Sequence, residues 1–183
     1  MNVGRSVMLR LFYFMLAKEA VLVAKKEKKT NVMRILDKAK ISYDTKSYEY
    51  DESDLSGVHA AEALGYDPAM VFKTIVTKGD KTGPVVFCLP VAEEIDLKAA
   101  ARVSGNKRVE MIHVKDLLGL TGYIRGGCSP IGMKKAFPTY LDESCLLQEK
   151  ISVSAGQRGQ QVVLAPQELL ALLRAKTADL LAK

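Results

Sequence analysis

The chain predicts a single α/β domain: a curved, mixed, largely antiparallel β-sheet, barrel-like in form and flanked by helices. Three observations lead there. Short β-branched runs alternate with segments of helical period, two of those runs bracket a tight turn, and 183 residues with 48% hydrophobic content can bury a core without cross-links.

The elements follow in order. Residues 30–42, TNVMRILDKAKIS, place Val32, Ile35, Leu36 and Ala39 at helical spacing behind a capping Thr30. Residues 45–51, TKSYEYD, predict a strand, and SGVHAAEALGYDP (56–68) a helix closed by Gly65 with Pro68 beyond it. In MVFKTIVTKGDKTGPVVFCLPV (70–91), two β-branched runs around a glycine-containing turn predict a hairpin. A short helix at 96–105, a strand at 108–112 and a second short helix at 114–122 come next. TYLDESC (139–145), KISVSAG (150–156) and QQVVLAP (160–166) predict strands, and Pro166 suits the first turn of a closing helix running to Lys183.

Residues 1–29 differ from this body. They carry seven Lys/Arg against two Glu, whereas the rest holds 20 Lys/Arg and 19 Asp/Glu, so the overall +6 does not make the body a polyanion binder. Arg10 and the Lys18-Glu19 pair interrupt the apolar runs, which fall short of the roughly 20 residues that span a bilayer. Arg5 and LFYFMLA fit the start of a secretory signal, but no convincing small-residue cleavage site follows before the basic run. The segment is expected to be an extension of open role, either a variable extension or the product of an upstream start codon, or else an amphipathic helix on a membrane or partner. The domain proper is expected at 30–183.

Cys88, Cys128 and Cys145 are odd in number and widely spaced, which suggests neither a disulfide framework nor a zinc site and favours a reducing, cytoplasmic setting. His59 and His113 lack partners at metal-ligand spacing. No metal or cofactor is expected.

Lys73 interrupts an apolar face formed by Val71, Ile75 and Thr77 in a central strand. It either snorkels at the strand end or serves a site that needs its charge. In TGYIRGGCSPIGMKKAFPTYLD (121–142), Gly126 and Gly127 allow positive φ and close approach of a ligand to backbone N–H groups. Structural turns and oxyanion donors both fit that pattern. Cys128 is the one reactive-looking side chain beside them, without a sequence-adjacent base. In SVSAGQRGQ (152–160), Arg158 reads either as part of a hairpin turn or as an anion contact.

Taken in order and spacing, KISYDTKSYEYD, MVFKTIVT, DLKAAARVSGNKRVEM, the 121–142 loop and ISVSAGQRG resemble the YbaK/EbsC family of aminoacyl-tRNA deacylases, related to the editing domain of bacterial prolyl-tRNA synthetases. The resemblance covers Thr30 to the C-terminus. It implies a YbaK-like fold and a trans-editing enzyme that removes cysteine mischarged onto tRNA(Pro), with the substrate's own thiol attacking the ester to form a thiolactone. Sister readings are a deacylase for alanine or serine, and a non-catalytic module that binds aminoacyl-tRNA or a synthetase. The resemblance further implies Lys73, Gly126 and Gly127 as catalytic, and Tyr48, Phe72, Thr74, Ser129, Asp142, Ser154, Gly156 and Arg158 as substrate-binding. Two departures stand out: Cys128 replaces an aliphatic residue, and SAGQRG replaces Ser-Gly-Gly-Lys-Arg-Gly. The near-neutral body predicts weak binding of the tRNA acceptor end by the domain alone, and the resemblance implies a prolyl-tRNA synthetase as the partner that supplies the rest.

Overall fold

The computed structural model describes residues 29–182, so the expected extension lies outside the described residues apart from Lys29. Helix α1 (Asn31–Ala39) begins where the Thr30 hydroxyl accepts the Met33 N–H and ends at Lys40 in the left-handed region; Val32, Met33 and Leu36 form its buried stripe. Strand β1 (Asp44–Ser47) leads through a loop to α2 (Gly57–Leu64), which is capped by Ser56 and, as the sequence predicts, closed by Gly65. The hairpin β2 (Phe72–Gly79) and β3 (Gly83–Pro90) pairs in full antiparallel register, Phe72 opposite Pro90 through Gly79 opposite Gly83. There follow α3 (Leu97–Val103), β4 (Val109–Met111), α4 (Val114–Thr121), β5 (Thr139–Asp142), β6 (Ile151–Ser154), β7 (Gln160–Leu164), α5 (Pro166–Leu173) and β8 (Lys176–Ala178).

The architecture is mixed α/β, but the expected barrel-like single sheet is corrected. Two sheets form, one of order β1-β7-β6 and one of order β4-β2-β3-β5-β8, and neither closes on itself. A parallel bridge between Val71 and Ser152 joins them. The larger sheet carries parallel pairs, β3 with β5 and β5 with β8, beside its antiparallel ones.

Strand alternation distributes side chains between two cores. Phe72, Val76, Val86 and Cys88 face the main core with α1, Ile151, Val153, Val162 and Leu164. Val85, Phe87 and Leu89 face a second core with Ala100, Ala101, Val109 and Leu180.

Three expected boundaries move. The 45–51 strand is confined to Asp44–Ser47, and the 139–145 strand stops at Asp142, where the carboxylate caps a 3₁₀ turn over Glu143–Leu147. The closing helix ends at Leu173, because Arg174 turns left-handed and the chain re-enters the sheet as β8, burying Leu180 in the second core. The leucine-rich periodicity was a helical signal that parallel pairing with β5 overrides.

Candidate active site

The start of β2, the loop before α2, the end of β3, the glycine loop and the β6–β7 pair converge on a cavity of about 100 Å³. Its wall contains Tyr48, Phe72, Lys73, Thr74, Gly126, Cys128 and Ser154, residues separated by as many as 106 positions in the chain. The smaller sheet contributes through alternation: Ile151 and Val153 enter the main core, so Ser152 and Ser154 take the opposite face, with Gln161 directly across from Ser154.

Lys73 is half-buried, and its amine donates to the carbonyls of Val91, at 3.1 Å, and Glu93. Burial pulls its pKa below the ordinary lysine value, opposed by the nearby Glu94 and Glu93. The side chain therefore neither snorkels into bulk water nor forms a tight ion pair. A single cation is held at the cavity wall by two neutral carbonyls.

The glycine loop is built as a turn. Gly127 N–H donates to Ile124 O at 3.0 Å, which places Gly126 at the third turn position with φ 83°, where a Cβ would be strained. The Gly127 amide is thereby committed, whereas the Gly126 N–H has no partner among the described residues. A Cβ on Gly127 would come within 3.1 Å of the Gln157 and Arg158 backbone, so this glycine allows two loops to touch.

Other expected site residues lie outside the cavity wall. Ser129 is fully buried and its hydroxyl accepts the Ile131 N–H. Asp142 is 1% exposed, and its two oxygens accept the N–H groups of Ser144 and Leu180. Gly156 lies against Tyr123, where a Cβ would approach the ring to 2.9 Å. Arg158 ties the loops together, donating to Arg125 O at 3.0 Å and pairing with Glu52 at 3.1 Å.

Cys128 shares the cavity wall, but burial pushes its thiol up to about 12, against a smaller opposing hydrogen bond with Thr121. It is a protonated thiol at neutral pH. Neither His59 nor His113 reaches the cavity.

Sequence reasoning missed Leu55, Ser56, Gly57, Ala60, Val71, Val91 and Gln161 as wall residues. Ser56 and Gly57 were legible only as a helix start. Gln161 carried no usable signal, since its strand reads QQVVL without polar–apolar alternation.

A mixed α/β fold thus brings a lysine amine and a glycine turn to the wall of one small cavity. The model of the aminoacyl-tRNA editing domain family matches residues 55–172, and the chain belongs to that family. It is 50% identical over 159 residues to EbsC of Enterococcus faecalis, a proposed Cys-tRNA(Pro)/Cys-tRNA(Cys) deacylase, covering 87% of this chain and 97% of EbsC. A proline–tRNA ligase of Shouchella clausii is 30% identical over 104 residues, 57% of this chain and 18% of the ligase. The crystal structure of a proposed trans-editing enzyme for prolyl-tRNA synthetase superposes with a TM-score of 0.71 at 28% identity, covering 83% of this chain and 95% of that one. A hypothetical protein at 18% identity and a TM-score of 0.75, covering 82% and 99% of the two chains, bears on the fold alone.

Proposed function

We propose that the chain removes cysteine from mischarged tRNA(Pro) in trans, with residues 30–183 as the editing domain. The observation that carries this reading is the lysine-bearing cavity of about 100 Å³, room for only a few water molecules and hence for a small acyl group, in a chain matching EbsC along nearly its whole length.

Lys73 holds the acylated nucleotide end electrostatically, and the Gly126 N–H faces charge developing on the ester's carbonyl oxygen. Gly127 acts by closing that turn through its N–H and, lacking a Cβ, by letting the 157–158 backbone approach. Tyr48, Phe72, Thr74 and Ser154 shape the acyl pocket, while Ser129, Asp142, Gly156 and Arg158 hold its walls in place. The substrate thiol attacks the ester carbonyl carbon, a tetrahedral oxyanion forms, and it collapses with cleavage of the bond between the carbonyl carbon and the ribose oxygen. The thiol proton ends on the departing ribose oxygen, giving free tRNA and a cyclic thiolactone. Intramolecular attack supplies a high effective concentration, so no protein nucleophile is required. The protonated state of Cys128 supports this assignment.

Acceptor-end binding is weak in the isolated domain and is strengthened by a prolyl-tRNA synthetase in a cytoplasmic complex. Among the described residues no helix is long and apolar enough to cross a membrane. The test is deacylation of a panel of cysteinyl, alanyl and seryl esters on tRNA(Pro), with product analysis. Turnover of the cysteinyl ester with thiolactone release is expected; cleavage of alanyl but not cysteinyl ester would replace the proposed specificity.

A further inference from the structure

The cavity wall carries a charge pattern that bears on which form of the substrate it accepts. Its fourteen residues include Lys73 but no aspartate, glutamate, arginine or histidine. The other polar wall groups are neutral: Tyr48, Ser56, Thr74, Cys128, Ser154 and Gln161. Gln161 is 7% exposed and receives the Ser152 hydroxyl at Oε1, at 3.4 Å, which turns its Nε2 donor end away from Ser152. The wall also includes Ser56 and Gly57 at the start of α2, the positive end of the helix dipole.

Carboxylates around the cavity are committed elsewhere or lie off the wall. Glu93 and Glu94 sit close enough to support the charge of Lys73, Glu52 pairs with Arg158, and Asp54 accepts the Ser56 N–H from an exposed loop. Asp51 accepts the Ser53 N–H, and His59 on α2 lies off the wall. Cation, helix terminus and uncommitted Gly126 N–H all attract electron-rich groups. An ammonium brought into about 100 Å³ beside Lys73 would face a like charge with no anion in the wall.

Resting on the deacylase reading above, we propose that the cavity takes the aminoacyl end with its α-amine neutral, and therefore also takes acyl groups that lack the amine. The substrate class is small neutral-headed acyl esters, of which the free-base aminoacyl ester is one.

The test uses the full chain and two non-cleavable probes on an acceptor-stem RNA ending in 3′-amino-3′-deoxyadenosine: the cysteinyl amide and the 3-mercaptopropionyl amide. Binding is measured by calorimetry from about pH 5.5 to 7.5, below the ordinary α-amino pKa of about 7.7–8.0. Cysteinyl-probe affinity is expected to rise by about tenfold per pH unit, while affinity for the deaminated probe stays flat. Lys73→Met is expected to flatten the cysteinyl slope, and Gln161→Glu to reverse the preference toward low pH. A flat cysteinyl profile overturns the inference. So does an identical slope for both probes, which would place the titrating group on the protein, or rejection of the deaminated probe. Absence of binding by either probe from a chain that deacylates Cys-tRNA(Pro) overturns it as well. Failure of the deacylase reading is registered separately, as absence of Cys-tRNA(Pro) turnover at pH 7.5.

Discussion

Lys73 and Val91 meet across the start of the β2–β3 pair, where the lysine amine donates to the valine carbonyl at 3.1 Å. This contact fixes a cation at the cavity wall without neutralising it. Lys73→Met keeps the side-chain length and removes the charge, so kcat/KM for Cys-tRNA(Pro) is expected to fall by at least about 100-fold. Thermal melting should shift by only a few degrees. Lys73→Arg should lose activity too, because a planar guanidinium does not replace a compact ammonium in so small a space.

Cys128 borders the cavity as a protonated thiol. Cys128→Ala should therefore retain deacylation within about threefold, whereas Cys128→Phe should depress it by filling the space. Single-turnover kinetics on both variants separates these roles. Loss of all activity in the alanine variant would reinstate a protein nucleophile.

The thiols also set an alkaline limit on stability. Burial raises Cys88 and Cys128 to about 12 and Cys145 to about 11, from an ordinary value of 9.0. Between those values the unfolded chain has lost thiol protons that the folded chain keeps, so their contribution is fully present below pH 9 and declines as pH rises toward 12. Urea midpoints should drop between about pH 8.5 and 10.5, with a smaller drop in Cys88→Ala.

Gly57 lies where a Cβ would fall 2.3 Å from Val91 Cγ1. Gly57→Ala must displace the residue whose carbonyl receives Lys73. A loss of about 1–3 kcal/mol is expected, together with weaker substrate binding. Denaturant titration and KM measured on one preparation check both effects.

Asp142 accepts two backbone N–H groups, including that of Leu180 beyond β8. Asp142→Ala should cost roughly 2–3 kcal/mol by leaving those donors without their acceptor. Its kcat below the melting transition should remain near wild type. A selective loss of kcat would return this residue to the substrate site.

Much of the architecture was legible locally. Thr30, Ser56 and Gly65 mark helix ends because capping acts within one turn, and the β2–β3 hairpin shows in two apolar runs around Gly79 and Gly83. Lys73 stood out because a cation in an apolar strand requires an explanation. The Arg174 reversal did not stand out, since LLALLRAKTADLL carries helical spacing and only the vacancy beside β5 and the burial of Leu180 draw the chain into a strand.

The sequence by itself determined the helix caps, the hairpin, the alternation of faces and the residue types on which an acyl-binding site could be built. Tertiary structure decided that Lys73, Gly126 and Gln161 share one wall, that Gly127 closes a turn and that Asp142 anchors Leu180. The physical reason is range. Caps and turns are fixed by neighbours a few residues away, whereas the cavity exists only where the Val71–Ser152 bridge brings two separately formed sheets together.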